Sequence, residues 1–351
     1  MKTIVSIVGI RPDFIRMSKI FNLLDKNFKH ILIHTGQHFD KNLSDVFFKE
    51  LNIRDPDFNL EIGGIGKEHF HQTAELSIKL IELFRKESIK PDLILFLGDS
   101  NSVTASIPLK KEGYKIGHIE AGMRSGDKRM LEEINRTVCD HCSDYLFTYH
   151  KNYKKKLIKE NIDKKSIYVV GNTIVEVCED ISKKLKLNPK SNESILLDIH
   201  RPENFKYKDR LEWILKYSNE CHKKYNVSIK MLNFKRTIEN INKFQLNLGK
   251  IEIIDLMNYT EYLTYIYNCK FIISDSGTSQ EEPALLDTKV IVPRDFTERP
   301  ESIENNCSFM LNEKNFEKSF EWINSNSKTS TEWLGNGKTA KKIISIIKKI
   351  K

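Results

Sequence analysis

Six short clusters of glycine, histidine, arginine and acid punctuate this chain, each directly after an apolar run. They are Gly9-Ile10-Arg11-Pro12-Asp13, Thr35-Gly36-Gln37-His38, Gly98-Asp99-Ser100-Asn101-Ser102, Glu120-Ala121-Gly122-Met123-Arg124, His200-Arg201-Pro202-Glu203-Asn204 and Asp275-Ser276-Gly277-Thr278-Ser279. The reactive groups they gather, with the nearby Glu132 and Glu133, are carboxylates (Asp99, Glu120), imidazoles (His38, His200, and His118 just upstream) and guanidiniums (Arg11, Arg124, Arg201). That inventory suits proton transfer on an anionic substrate. It does not suit nicotinamide or flavin chemistry, because no G-x-G-x-x-G follows the first apolar run. Gly63-Gly64-Ile65-Gly66-Lys67 is similar to a P-loop but lacks its spacing and the Ser or Thr after Lys, so it reads as a loop. No metal-ligand spacing is present. Cys139 and Cys142 form a C-x-x-C inside a helical stretch with no second ligand pair, so neither zinc nor redox use is expected.

Several of these groups carry two readings. Around Ser276–Glu282, backbone N–H groups at a helix start beside Ser, Thr and Gly would bind a diphosphate; Ser279 with Glu282 would equally make a capping box. Glu132 and Glu133 are either catalytic or a first-turn acidic pair favoured by the helix dipole. His118 and His38 at strand ends are either functional or buried hydrogen-bonded residues.

The elements that must position these residues alternate. Strand-like runs at Thr3–Val8, His30–His34, Leu93–Leu97, Ile116–Ile119, Tyr145–Thr148 and Tyr168–Val170 are separated by helical periodicity, as in Phe14–Leu24 and His71–Phe84. The alternation restarts at Ser194–Ile199 and continues through Val227–Leu232, Ile251–Asp255, Lys270–Ser274 and Lys289–Val292. Two such series predict two doubly wound Rossmann-like α/β domains with parallel sheets. The linker is expected within Lys183–Ser194. Open parallel sheets bind ligands at the carboxyl ends of their strands, where all six clusters fall, so the two domains are expected to face a shared cleft.

Composition narrows the class further. Across 351 residues, 39% hydrophobic and 30% charged residues describe a globular chain. No apolar run approaches the ~18 residues of a membrane span, and the opening one is broken by Arg11 and Asp13. A soluble, cytoplasmic protein is expected. The net charge of +9 comes from lysines spread along amphipathic segments, which predicts no nucleic-acid partner. Six scattered cysteines suggest reduced thiols. The residues by themselves thus describe a two-domain α/β enzyme acting by acid–base chemistry on a phosphorylated or nucleotide substrate.

In order, the clusters resemble the non-hydrolysing UDP-N-acetylglucosamine 2-epimerase family. Gly9–Asp13 is similar to its G-T-R-P-E, Thr35–His38 to T-G-Q-H, Gly98-Asp99 to G-D-T and His118–Gly122 to H-x-E-A-G. Glu132–Arg136 resembles E-E-x-N-R, Gly171-Asn172 G-N, and His200-Arg201 with Glu203-Asn204 H-R-x-E-N. Asp275-Ser276-Gly277, Gln280-Glu281-Glu282, Arg294–Glu301 (R-D-x-T-E-R-P-E) and Gly335-Asn336-Gly337 follow, so the match covers nearly the whole chain.

The resemblance implies a GT-B-like fold with an N-terminal domain of residues 1–172, a C-terminal UDP-binding domain of 173–337, and a final helix (338–351) returning to the first. It implies cofactor-free, metal-free inversion at C2 of UDP-GlcNAc to give UDP-ManNAc. A base removes the C2 proton, UDP leaves a 2-acetamidoglucal, and UDP adds back with the proton delivered to the opposite face. Asp99, Glu120 and Glu132 would be the acid–base carboxylates, His200 a further catalytic residue near the diphosphate, and Arg11 and Arg16 the stabilising cations. Ser276, Gly277 and Thr278 would hold the diphosphate and Glu282 the ribose. Gln37, His38, Arg136, Asn172, Arg201 and Arg299 would complete the substrate contacts. A homodimer supplying surface polysaccharide synthesis is the expected setting. The chain departs from the family pattern in Arg16 (usually Lys), Leu131 (Pro), Pro202 (Arg), Thr278-Ser279 (Gly-Ile) and Met231–Lys235, which lacks the His of P-x-H-P. Arg16, Gly98–Ser102 and Ser276–Thr278 resemble relatives acting on other UDP-2-acetamido sugars. The open alternatives are such a sister epimerase, a hydrolysing 2-epimerase, a GT-B glycosyltransferase and a non-catalytic UDP-sugar binder.

Overall fold

The computed structural model describes residues 1–36, 48–64, 68–127 and 130–350. Gln37, His38 and part of the Gly63–Lys67 loop lie outside them. The chain forms two compact units, Met1–Val177 with Leu334–Lys351, and Cys178–Trp333.

The first unit is built on a parallel sheet of β1 (Thr3–Val8), β2 (Lys29–His34), β3 (Phe58–Asn59), β4 (Leu93–Leu97), β5 (Ile116–Ile119), β6 (Tyr145–Thr148) and β7 (Ile167–Val169). Their order is β3-β2-β1-β4-β5-β6-β7. β4 is buried at every position, as a strand covered on both faces must be. The second unit repeats the plan with β8 (Ser194–Asp198), β9 (Ser228–Leu232), β10 (Ile251–Ile254), β11 (Cys269–Ser274), β12 (Val290–Val292) and β13 (Ser308–Met310), ordered β10-β9-β8-β11-β12-β13. In both sheets the order reverses beside the first strand, and that switch point is where open α/β sheets receive ligands. The loops after β1 and β4 flank the first switch, and those after β8 and β11 flank the second. Four of the six clusters are therefore placed by topology.

The sequence pattern missed β3 and β13. Both are edge strands of two or three residues, too short to show a period. Helix Ile174–Leu185 runs into the segment expected as linker, and the boundary between units falls inside it, not ahead of it. Its first turn is tied to the first unit by Glu176, which accepts the Ala340 N–H at 3.0 Å. Beyond the boundary Cys178 Sγ lies 3.2 Å from Tyr259 Oη, and Ser182 bonds Leu285, both in the second unit. The final helix, Thr339–Lys349, belongs to the first unit. It buries Ile343, Ile344 and Ile347, and Lys2 Nζ donates to the Lys348 carbonyl at 3.0 Å. No helix among the described residues is long and apolar enough to cross a membrane.

Candidate active site

In the first unit the carboxylates sit at the ends of neighbouring strands and rest on arginines. Glu120 follows β5 and adopts φ 73°, a left-handed conformation that costs a non-glycine residue roughly 1–2 kcal/mol. Strain of this kind collects at functional positions. Its Oε2 lies 3.2 Å from Nη1 of the buried Arg16, which also donates to Asn172 Oδ1 at 3.3 Å. Asp99 follows β4, and its carboxylate pairs with the buried Arg136. Asn135 Nδ2 donates to the Asp99 carbonyl at 3.0 Å, so helix Leu131–Cys142 grips this residue twice. Arg11 opens helix Arg11–Asn27 in an exposed position. Asp13, two residues on, is buried; its Oδ2 accepts the N–H groups of Gly9 (3.0 Å) and Ile10 (3.2 Å) and lies 3.4 Å from Ser100 Oγ. Burial pushes Asp13 up from its ordinary 3.8 to about 7; the two N–H groups work against that and the charges of Asp99 and Glu120 add to it.

Other members of the sequence inventory serve the scaffold. Glu133 accepts from Ser125 N, Ser125 Oγ and Gly126 N, each at 3.0 Å, and from Arg136 at 2.9 Å. It holds the loop ahead of its own helix, while Glu132 stays half-buried on the first turn. His118 is fully buried, with Nδ1 2.7 Å from Asp140 and Nε2 2.8 Å from the Gly98 carbonyl. Burial opposes its charge, but Cys139 and Asp140 beside it hold its pKa well above the usual 6.5. Arg124 is bidentate to Glu160 and bonds Asp140 at 2.7 Å. Cys139 is buried and Cys142 half-buried on one helix, and burial pushes the Cys142 thiol up, away from reactivity.

In the second unit the pattern is inverted, with cations resting on acids. His200 follows β8; its Nδ1 lies 2.9 Å from Asp198 Oδ1 and 3.5 Å from Asp275 Oδ1. Asp275 also accepts the His200 and Arg201 N–H groups at 3.0 Å and Asn204 Nδ2 at 2.9 Å. Arg201 caps helix Pro202–Phe205, whose first position suits Pro202 because that N–H has no helical partner. Ser276 Oγ is 3.1 Å from Thr278 Oγ1. Beneath them Arg299 bonds Glu281 at 2.7 Å and Glu298 at 2.5 Å. A Cβ at Gly277 would stand 2.4 Å from both Arg299 Nη1 and Glu298 Oε1, so a larger residue fits there only if that ion pair gives way. The Ser279–Glu282 capping box does not form: Ser279 Oγ donates to Asp198 at 3.1 Å, and Glu282 instead accepts from Tyr259 Oη at 2.9 Å. The helix after this loop is a single turn, Glu282–Leu285.

Asp198, His200 and Asp275 present ligand atoms within 4.8 Å of one another. Those oxygens already accept from hydroxyl, amide and backbone donors, so the arrangement reads as a carboxylate–imidazole assembly and not as a metal centre. Asp198 and the tyrosines Tyr259 and Tyr262 were not singled out by sequence, and Asp13 was named there as part of its cluster but given no role. For Asp198 the signal was there, an acid inside an otherwise apolar strand.

The chain matches the UDP-N-acetylglucosamine 2-epimerase family model over residues 23–348. It is 36% identical to the UDP-N-acetylglucosamine 2-epimerase of Methanococcus maripaludis and 35% to that of Methanocaldococcus jannaschii, over 97% of both chains in each case. The crystal structure of the M. jannaschii UDP-GlcNAc 2-epimerase with UDP-GlcNAc and UDP superposes with a TM-score of 0.90, 34% identity and 99% coverage of both chains. A UDP-GlcNAc-bound 2-epimerase from Neisseria meningitidis matches 99% of this chain and 100% of its own at 25% identity and a TM-score of 0.88. The doubly wound pair of units is thus the GT-B-like plan, and the chain belongs to the UDP-N-acetylglucosamine 2-epimerase family.

Proposed function

We propose that this protein is a non-hydrolysing epimerase interconverting UDP-GlcNAc and UDP-ManNAc, working in the cytoplasm to supply surface polysaccharide synthesis. The observation that carries the reading is the pair Asp99 and Glu120, on adjacent strand ends, each held by a buried arginine in a chain of this family. The chemistry balances without a redox partner. A carboxylate takes the C2 proton, the C–H electrons form the C1–C2 double bond, and the C1–oxygen bond breaks to release UDP. A UDP oxygen then attacks C1 and a second acid returns a proton to the opposite face of C2. Asp99, Glu120 and Glu132 are the acid–base candidates. Arg11 and Arg16 offset charge as the diphosphate leaves. His200, Arg201 and Ser276–Thr278 bind the diphosphate, Glu282 the ribose, and Arg136, Asn172 and Arg299 hold these groups in place.

A second reading, another UDP-2-acetamido sugar, draws on Arg16 beside Glu120 and on a 32% identical relative from Pseudomonas aeruginosa named UDP-2,3-diacetamido-2,3-dideoxy-D-glucuronate 2-epimerase. Proton NMR of UDP-GlcNAc with the protein in D2O, without NAD or metal, tests both. Deuterium at C2 with UDP-ManNAc accumulating supports the first reading. No exchange there, but exchange with the diacetamido uronate, supports the second. Free sugar as product would make the enzyme a hydrolase. A homodimer is supported by apolar side chains left exposed on helices of the first unit, Ile78, Leu131 and Ile134; light scattering at the monomer mass would remove it.

A further inference from the structure

β8 reads Ser-Ile-Leu-Leu-Asp, four residues that belong in a buried parallel strand and one that does not. Asp198 is 4% exposed, and a carboxylate at that depth is costly unless its oxygens are engaged. They are. Oδ1 faces His200 Nδ1 at 2.9 Å, while Oδ2 accepts the hydroxyls of Ser274 at 2.8 Å and Ser279 at 3.1 Å. Ser279 Oγ is in turn 3.0 Å from Tyr262 Oη. The two serines bracket Ser276 and Gly277. One carboxylate therefore spans the switch point of the second sheet, with the imidazole on one oxygen and both ends of the Ser276–Gly277 loop on the other.

We propose that Asp198 is a positioning residue, fixing the His200 imidazole in orientation and in its doubly protonated form and locking it to the diphosphate loop. The inference rests on the reading of His200 as a diphosphate ligand. With Nδ1–H committed to Asp198, Nε2–H is the donor left for a phosphate oxygen, and the side chain is 31% exposed, enough to be reached. The charged groups around the ring are Asp198 from β8, Asp275 from the loop after β11, and Arg201 from its own loop; Phe234, from the loop after β9, packs at 4.9 Å between ring centroids and does not titrate. Burial and Arg201 oppose the imidazolium, but the two aspartates prevail and raise its pKa above 6.5.

The test compares the full-length protein with D198N and H200A. Asparagine keeps an oxygen for Nδ1–H and removes the charge, while its amide NH2 replaces the oxygen that accepted Ser274 and Ser279, whose hydroxyls can turn to accept from it. His200 is followed by NMR titration, and kcat and KM for C2 exchange are measured from pH 6 to 9. Activity that depends on imidazolium is lost as pH rises through the folded pKa, so D198N should move that limb down by about one unit. At pH 8 this costs about tenfold in kcat, because one pK unit is tenfold in population. At pH 6 kcat should return to within about threefold of wild type, with KM little changed. A uniform loss at every pH with an unmoved His200 midpoint would make Asp198 merely structural and overturn the proposal. So would a wild-type His200 midpoint below 6.5, a measurement that needs no variant to fold. H200A separates the two levels: normal turnover and UDP affinity in it would remove His200 from the site altogether, whereas an impaired H200A with an unshifted D198N sinks the Asp198 role alone.

Discussion

The two units answer the same architectural problem with opposite polarity. In the first, arginines from helices clamp carboxylates at strand ends: Arg16 on Glu120 and Arg136 on Asp99. In the second, buried carboxylates clamp cations: Asp198 and Asp275 on His200, Glu281 and Glu298 on Arg299. On the proposed function, the difference matches what each end of a UDP-sugar would demand. A C2 proton needs a base, whose charge must be stabilised before substrate arrives, and a diphosphate needs cations and N–H groups held open against its own pull. In each unit the buried partner supplies the charge that the reactive group alone could not sustain at that depth.

That contrast breaks first at the carboxylates. Asp99→Asn or Glu120→Gln removes a proton-transfer group while leaving the second unit untouched, so turnover should fall by about 10³-fold or more. UDP affinity by calorimetry should stay within about threefold. Wild-type C2 exchange in either variant would dissolve the division of labour.

Arg136→Met tests the clamp behind Asp99. It leaves two carboxylates, Asp99 and Glu133, without their shared guanidinium, so stability should drop by about 3 kcal/mol and kcat by about 10²-fold. Denaturant unfolding and C2 exchange read the two effects. Arg136→Lys should recover part of the stability but not the two-pronged hold.

In the second unit the matching test is Gly277→Ala. The added Cβ has backbone room only if Arg299 and Glu298 give way, since it would stand 2.4 Å from each. UDP should bind about tenfold more weakly, from the shifted loop, while exchange at saturating UDP-sugar stays within a few-fold. Equal damage to both would erase the contrast between the units.

Much of this was legible in the chain, for reasons tied to particular residues. Continuous apolar runs such as Leu93–Leu97 have one stable use, a parallel strand covered on both faces, and they fix where the following clusters must emerge. Asp99, Glu120 and His200 stand out as candidates because reactive side chains directly after such runs are conspicuous. Their partners were harder to see. Arg136 lies 37 residues from Asp99 and Asp275 lies 75 from His200, separations that no local pattern reports. His118 and Arg124 looked as reactive as their neighbours, and only the burial of Asp140 shows that they brace the scaffold. Ser279 satisfied a capping pattern on paper, yet the hydroxyl is taken by Asp198, a contact between strand ends that sequence spacing cannot express.

The mildest test concerns Asp13, a buried acid of the first unit held by backbone N–H groups and not by a guanidinium. It is the control for the clamped pair: among the described residues its carboxylate meets two N–H groups and a nearby hydroxyl. Its pKa rises from 3.8 to about 7 on folding, so between those values the folded chain holds a proton that the unfolded chain has lost. Stability from this group is therefore fully present below pH 3.8 and is lost as pH climbs through 7. Asp13→Asn mimics the protonated form and has no such slope. Urea midpoints of wild type and D13N should lie close at pH 4, diverge steadily in favour of D13N up to about pH 7, and keep that gap above it. Parallel curves would mean that Asp13 stays ionised in the fold, and that the two N–H groups at its Oδ2 suffice where Asp99 and Glu120 each require a guanidinium.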